Sequence, residues 1–151
     1  MLSRRAFGLG AVGTLAIVAA GAPILWSIVD EDAVIRAATR TLFPPTDGSV
    51  DPDTLDVPGA IRRYLAVLPE RQRWEARGLL RLIELGAVPG ARFSRLTDAE
   101  RTAALEAMAA ASLAHRRLLV GSLKQLCAMG YWQHPETWAF LGYEGPTVRT
   151  P

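Results

Sequence analysis

The chain has 151 residues, half of them apolar and 21% charged, with 17 basic against 15 acidic side chains. That length and apolar content fit one modest domain with an ample core and argue against disorder, and a formal net charge of +2 is too small for a nucleic-acid protein. One cysteine, Cys127, excludes an internal disulfide framework and any Cys-based zinc or iron–sulfur site built by this chain alone, and two histidines, His115 and His134, are too few for a metal centre.

The first segment reads as an address. Met1-Leu2-Ser3-Arg4-Arg5-Ala6-Phe7-Gly8-Leu9 has the pattern of a twin-arginine export signal, carried by Ser3, Arg4, Arg5 and Phe7. From Ala6 to Val29 no residue is charged, so the two arginines would stay on the cytoplasmic side while the apolar run enters the bilayer. A plain membrane-spanning helix is the alternative, since the run is long enough to cross, although four glycines and Pro23 suit it poorly to permanent residence. Ala20-Gly21-Ala22 and Val18-Ala19-Ala20 are both candidate cleavage sites, and an uncut leader would anchor the protein at the outer face of the membrane. Without Arg4 and Arg5 the basic and acidic residues cancel, so the abundant arginine does not make a basic binding face. Gly8-x-Gly10-x-x-Gly13 has the spacing of a dinucleotide-binding loop but lies in this leader with no strand before it, and it is discarded. The expected organisation is residues 1–29 as export signal or anchor, 30–146 as a helical domain and 147–151 as a tail.

Helical signals dominate the rest. Asp30-Glu31-Asp32 supplies a cap and first-turn negative charge, Val34, Ile35, Ala38 and Leu42 follow helical spacing, and Pro44-Pro45 ends the helix. Thr46-Asp47-Gly48 is turn chemistry, and the segment to Asp56 is expected to be irregular. A second helix starts near Pro58 with Ile61, Tyr64, Leu65 and Leu68 as its apolar face. Pro69 opens a third, whose expected apolar residues are Trp74, Leu79, Leu82, Ile83 and Gly86. Arg73, Arg77 and Arg81 form an i, i+4 row on another face of it, read as a solvated stripe with glutamate neighbours or, alternatively, as a docking stripe. Gly86 to Gly90 is a break. Thr97-Asp98-Ala99-Glu100 is a capping box for an alanine-rich helix to about Ala110. A last helix is expected from about Ser112 to Met129, with Leu119, Leu123, Leu126 and Cys127 on one stripe and Gly130 as its stop. Cys127, Met108 and Met129 read as core. No stretch alternates with period two, so the expected fold is all-α, a small bundle of about five helices.

The ending, Tyr131-Trp132-Gln133-His134-Pro135-Glu136-Thr137-Trp138-Ala139-Phe140-Leu141-Gly142-Tyr143-Glu144-Gly145-Pro146, is the most distinctive part. A helical turn is expected at Pro135, with Gly142 and Gly145 breaking any continuation. Trp138 and Leu141 are expected to pack on the bundle, and Tyr143 and its neighbours to contact a partner, since tryptophan and tyrosine dominate binding hot spots. His134 with Glu136, or His115, could do acid–base work, but no nucleophile or metal set accompanies them, and catalysis by this chain is not expected.

Leu42-Phe43-Pro44-Pro45, the Phe93-x-x-Leu96 lead into Arg101 and Leu105, and above all Pro135-x-x-Trp138-x-x-Leu141-Gly142-Tyr143-x-Gly145-Pro146 resemble the gluconate 2-dehydrogenase subunit 3 family. The resemblance spans roughly residues 31–146 and includes the leader. It implies a non-catalytic small subunit that pairs with an FAD-dependent dehydrogenase of the glucose–methanol–choline type and supplies its export signal. A cytochrome subunit carrying haem c often takes the electrons. By this resemblance the chain binds no cofactor itself, and Phe43, Pro44, Pro45, Trp138, Leu141, Gly142, Tyr143, Gly145 and Pro146 are the candidate partner-binding residues. The twin-arginine route carries folded cargo, so a small bundle pairing with a cofactor-loaded companion would explain the leader. A membrane-anchored periplasmic structural protein without an enzyme partner is the alternative.

Overall fold

The computed structural model describes residues 29–145, so the export-signal positions Ser3, Arg4, Arg5 and Phe7, the early glycine spacing and Pro146 lie outside the described residues. Those described form five α-helices and four short 3-10 turns, with no strand among them. The helices are α1 (Glu31–Leu42), α2 (Val57–Val67), α3 (Glu70–Gly86), α4 (Asp98–Ala109) and α5 (Ala114–Trp132). α1 and α5 form the centre of the bundle, each touching all four other helices.

Three of the five starts are capped by a side chain. The Asp30 carboxylate accepts from the Ala33 N–H at 3.0 Å, and Glu31 and Asp32 place negative charge in the first turn of α1. Asp56 caps α2 by accepting from the Gly59 N–H at 2.9 Å, ahead of Pro58 in the first turn. The capping box forms at α4: the Thr97 side chain accepts from the Glu100 N–H, and the Glu100 carboxylate accepts from the Thr97 N–H at 2.8 Å. These bonds from Thr97, backbone first and hydroxyl second, hold the Glu100 carboxyl below the usual carboxylate range. A depressed folded pKa adds stability that is present above the unfolded value and lost as pH falls through the folded one. Urea melts should therefore show Glu100→Gln flattening part of the acid limb below about pH 4.5, and Thr97→Ala costing about 1 kcal/mol at neutral pH. An unchanged acid limb in Glu100→Gln would count against this origin.

The core draws on every helix: Val34, Ile35 and Ala38 from α1, Ile61 from α2, Leu80 and Ile83 from α3, Leu105 and Met108 from α4, and Leu123 and Cys127 from α5 are all buried. Phe93, carried on the 3-10 turn Phe93–Arg95 between α3 and α4, is also fully buried. That turn is held by Glu84, whose carboxylate accepts from the Ser94 N–H at 2.8 Å and from its hydroxyl at 2.7 Å. Burial pushes the Cys127 thiol up to about 12, so it sits in the core as a neutral apolar group. Met129 packs at the core's edge.

Four expectations are corrected. α5 does not stop at Gly130 but runs through it to Trp132, because the glycine is where α5 lies against α2: a Cβ there would sit 2.6 Å from Ile61 Cγ1 and 3.0 Å from Val57 Cγ1. On α3, Trp74 and Leu82 face out and Leu80 faces in, so the buried stripe is rotated from the one read off the spacing. Arginines 73, 77 and 81 do not act as one solvated face: Arg77 stays 53% exposed beside a glutamate, whereas Arg81 is largely buried. Arg77 and Arg81 both pair with Glu31 at the start of α1, at 3.6 and 3.0 Å, and Arg73 donates to the Ala66 carbonyl. Finally, the segment before Asp56 is not wholly irregular, since Asp51 caps a 3-10 turn over Pro52–Thr54.

Candidate docking surface

The end of the bundle where α1 stops and α5 runs out is aromatic. Phe43 stacks on Tyr131 with ring centroids 5.1 Å apart and 11° between the planes. Trp132 meets both rings edge-on, at 6.1 Å from Phe43 and 4.8 Å from Tyr131. Such contacts each add on the order of 1 kcal/mol beyond the area they bury. The Tyr131 hydroxyl donates to the Val50 carbonyl at 2.6 Å and ties down the loop after α1, while burial raises the phenol above its ordinary range.

The tail is built on this platform. Its first 3-10 turn, Pro135–Thr137, begins at His134, whose carbonyl accepts from both the N–H and the hydroxyl of Thr137. Trp138 then turns back, its indole Nε1–H donating to the Trp132 carbonyl at 2.9 Å. A second turn, Ala139–Leu141, ends at Gly142 with φ of +64°, a conformation in which a side chain other than glycine is strained. That reversal brings Tyr143 back, its N–H donating to the Trp138 carbonyl at 3.0 Å and its ring edge-on to the indole at 5.3 Å. Gly145 lies against the same indole, where a Cβ would come within 3.2 Å of Cζ3. The tail also reaches the loop after α1: a Cβ on Gly48 would lie 3.9 Å from the Phe140 ring.

The structure thus brings the Phe43-Pro44-Pro45 corner and the tail to one end of the bundle and separates them into two kinds of residue. Phe43, Trp138 and Gly145 are half-buried and hold the end together. Pro44, Pro45, Leu141, Gly142 and Tyr143 are exposed. The expected packing of Leu141 on the bundle is therefore overturned: its side chain is 56% exposed, because the turn at Gly142 folds the chain over Trp138 and leaves Leu141 on the outside. Phe140, which the sequence did not single out, is 50% exposed beside it, and Tyr143 is 47% exposed. Nothing in the spacing of Ala139-Phe140-Leu141 marks which residue faces out, because a three-residue turn has no repeat to read.

Two polar knots fix this end to the rest. Arg40, at the end of α1, pairs with Asp53 and with Asp98 at 3.2 Å, and these partners, Asp98 first, raise its pKa. Arg101 donates to the Leu96 carbonyl at 2.6 Å and to the Thr41 hydroxyl at 3.0 Å, and pairs with Asp98. The arginine that the family pattern marks is therefore a brace between α1 and α4, positioning the loop that leads to Pro44 and Pro45.

The acid–base candidates are not gathered. His115 is exposed on the first turn of α5 and His134 follows its far end, about 25 Å away along the helix at 1.5 Å per residue. Among the described residues no group of three or more His, Cys, Asp or Glu side chains could hold a metal ion, and no helix is long and apolar enough to cross a membrane. No curated protein and no solved structure matches the chain. Residues 29–145, from the start of the bundle through Gly145, match the family model for gluconate 2-dehydrogenase subunit 3. An all-helical domain ending in a folded-back aromatic tail is thus a member of the gluconate 2-dehydrogenase subunit 3 family.

Proposed function

We propose that the chain is the accessory small subunit of a flavin-dependent dehydrogenase complex: it binds, stabilises and escorts through twin-arginine export a large FAD-dependent subunit that oxidises an alcohol, sugar or sugar acid. The observation that carries this reading is the tail. Phe140, Leu141 and Tyr143 stay about half exposed, although the same segment ties Trp138 to the end of α5. Large apolar side chains left together in water are what a protein interface supplies, and hot spots favour aromatic residues. The family name points to a dehydrogenase as the companion. The pattern at Ser3, Arg4, Arg5 and Phe7 supplies the route, to the periplasm or the outer face of the cytoplasmic membrane. FAD then belongs to the companion, and haem c to a third, cytochrome subunit where one is present.

A tagged copy expressed with its neighbouring genes should bring down a yellow flavoprotein in defined stoichiometry. Replacing both Arg4 and Arg5 by lysine should strand that flavoprotein in the cytoplasm. Failure to recover any flavoprotein would remove the escort reading. An intact complex whose large subunit still reaches the periplasm when both arginines are replaced would remove the export half of it.

A further inference from the structure

The aromatic end is made by two segments, residues 43–56 and 133–145, and their charge is one-sided. Together they carry Asp47, Asp51, Asp53, Asp56, Glu136 and Glu144, while all the described arginines and the one lysine lie elsewhere. Arg40 reaches in from α1 to pair with Asp51 and Asp53, and Arg63 reaches from α2 to Asp56. Among the described residues no such cation meets Asp47, Glu136 or Glu144, all of which are exposed. Asp47 lies between Pro45 and Gly48, where a Cβ would come within 3.9 Å of the Phe140 ring, and Glu144 lies between Tyr143 and Gly145. Three exposed carboxylates, here called the acidic collar, are therefore carried by the same two segments as the exposed Pro44, Pro45, Phe140, Leu141 and Tyr143.

Charge of one sign around an apolar centre narrows the occupant. A second copy of the same face would bring two acidic collars together, which is repulsive. An anionic bilayer surface carries the same sign and would repel the collar too. A protein surface with an apolar socket inside a rim of lysine and arginine matches both parts. We propose that this acidic-collared aromatic end is the face that docks into a basic-rimmed apolar socket on the dehydrogenase large subunit, an assignment that rests on the accessory-subunit reading above. The apolar centre sets how long the complex lasts, and the collar steers the encounter and sets its sensitivity to salt. Arg71 on α3 is largely exposed and paired with Glu75, and it belongs to neither segment of the docking end.

The test uses the purified chain and the co-expressed FAD-dependent subunit, with binding measured at about 50 and about 300 mM NaCl, roughly a doubling of screening strength. The triple variant Asp47→Lys, Glu136→Lys, Glu144→Lys should weaken binding at least 10-fold at low salt and bring the low- and high-salt affinities together. Leu141→Ser with Tyr143→Ser should weaken it about 100-fold at both salts. Arg71→Glu should bind like the unaltered chain. Helical circular dichroism should be the same for all variants, since every altered residue is exposed. A collar variant with unchanged affinity and salt dependence would overturn the assignment while leaving the complex, and so the accessory-subunit reading, standing. So would a loss of binding in Arg71→Glu alone, or a stable dimer of the isolated chain that Leu141→Ser dissolves. Absence of any complex with the unaltered chain would overturn both.

Discussion

Phe93→Ala is expected to cost the domain about 3–5 kcal/mol, the range for removing a fully buried aromatic ring from a core that cannot collapse behind it. The ring is wholly excluded from water, yet it stands on a three-residue turn and not on a long helix. The turn cannot follow the lost volume inward, because Glu84 grips Ser94 by both its backbone and its hydroxyl, and Glu84 is itself buried on α3. The cavity would open where the turn packs on α1 and α3, and the deficit is a large fraction of the stability of a domain this size. Urea denaturation measures it: the midpoint should fall with the slope unchanged. Phe93→Leu should recover more than half of the loss. A cost of less than about 1 kcal/mol for the alanine variant would mean that the site collapses freely, against this account.

Phe93 also shows how much of the molecule is legible in its residues. The family pattern marks it, and two helix starts are plain: Thr97 and Glu100 make a reciprocal cap for α4, and the Asp30 carboxylate caps α1 through the Ala33 N–H. Local hydrogen-bonding chemistry of this kind is written in four consecutive residues. What helix spacing leaves open is the partner of each face. Trp74, Leu79, Leu82 and Ile83 all fit an apolar stripe on α3, but the bundle takes Leu79, Leu80 and Ile83 and leaves Trp74 and Leu82 outside. The arginine row on the same helix has the look of a solvated face until Glu31 of α1 is placed across from it. The tail is a similar case. Its composition announces contact with something, whereas the division of labour between Trp138, which binds the bundle, and Leu141, which does not, follows from the reversal at Gly142.

Gly130 is the position where one residue type carries two opposite meanings, helix stop or close helix contact, and its replacement separates them. At a stop, Gly130→Val would act through the cap alone and cost little. In the observed packing the new side chain meets Ile61 and Val57, both buried with no space to retreat, so α5 must move off α2. The expected cost is about 3 kcal/mol, the upper part of the range for overfilling a packed core, less the few tenths regained from helix propensity. Ile61→Ala, destabilising alone, should relieve the crowding, so that the double variant is more stable than the sum of the two single losses by about 1–2 kcal/mol. Additive losses would show that the two side chains do not compete for the same space. The consequence reaches the docking end directly. The residues after Gly130 are Tyr131 and Trp132, the rings on which Phe43 stacks, and the Trp132 carbonyl takes the Trp138 indole. Displacing α5 therefore tilts the platform under Leu141 and Tyr143. Gly130→Val should lose near-ultraviolet tryptophan dichroism and partner binding together, at temperatures where far-ultraviolet helix signal persists, and Ile61→Ala should restore both.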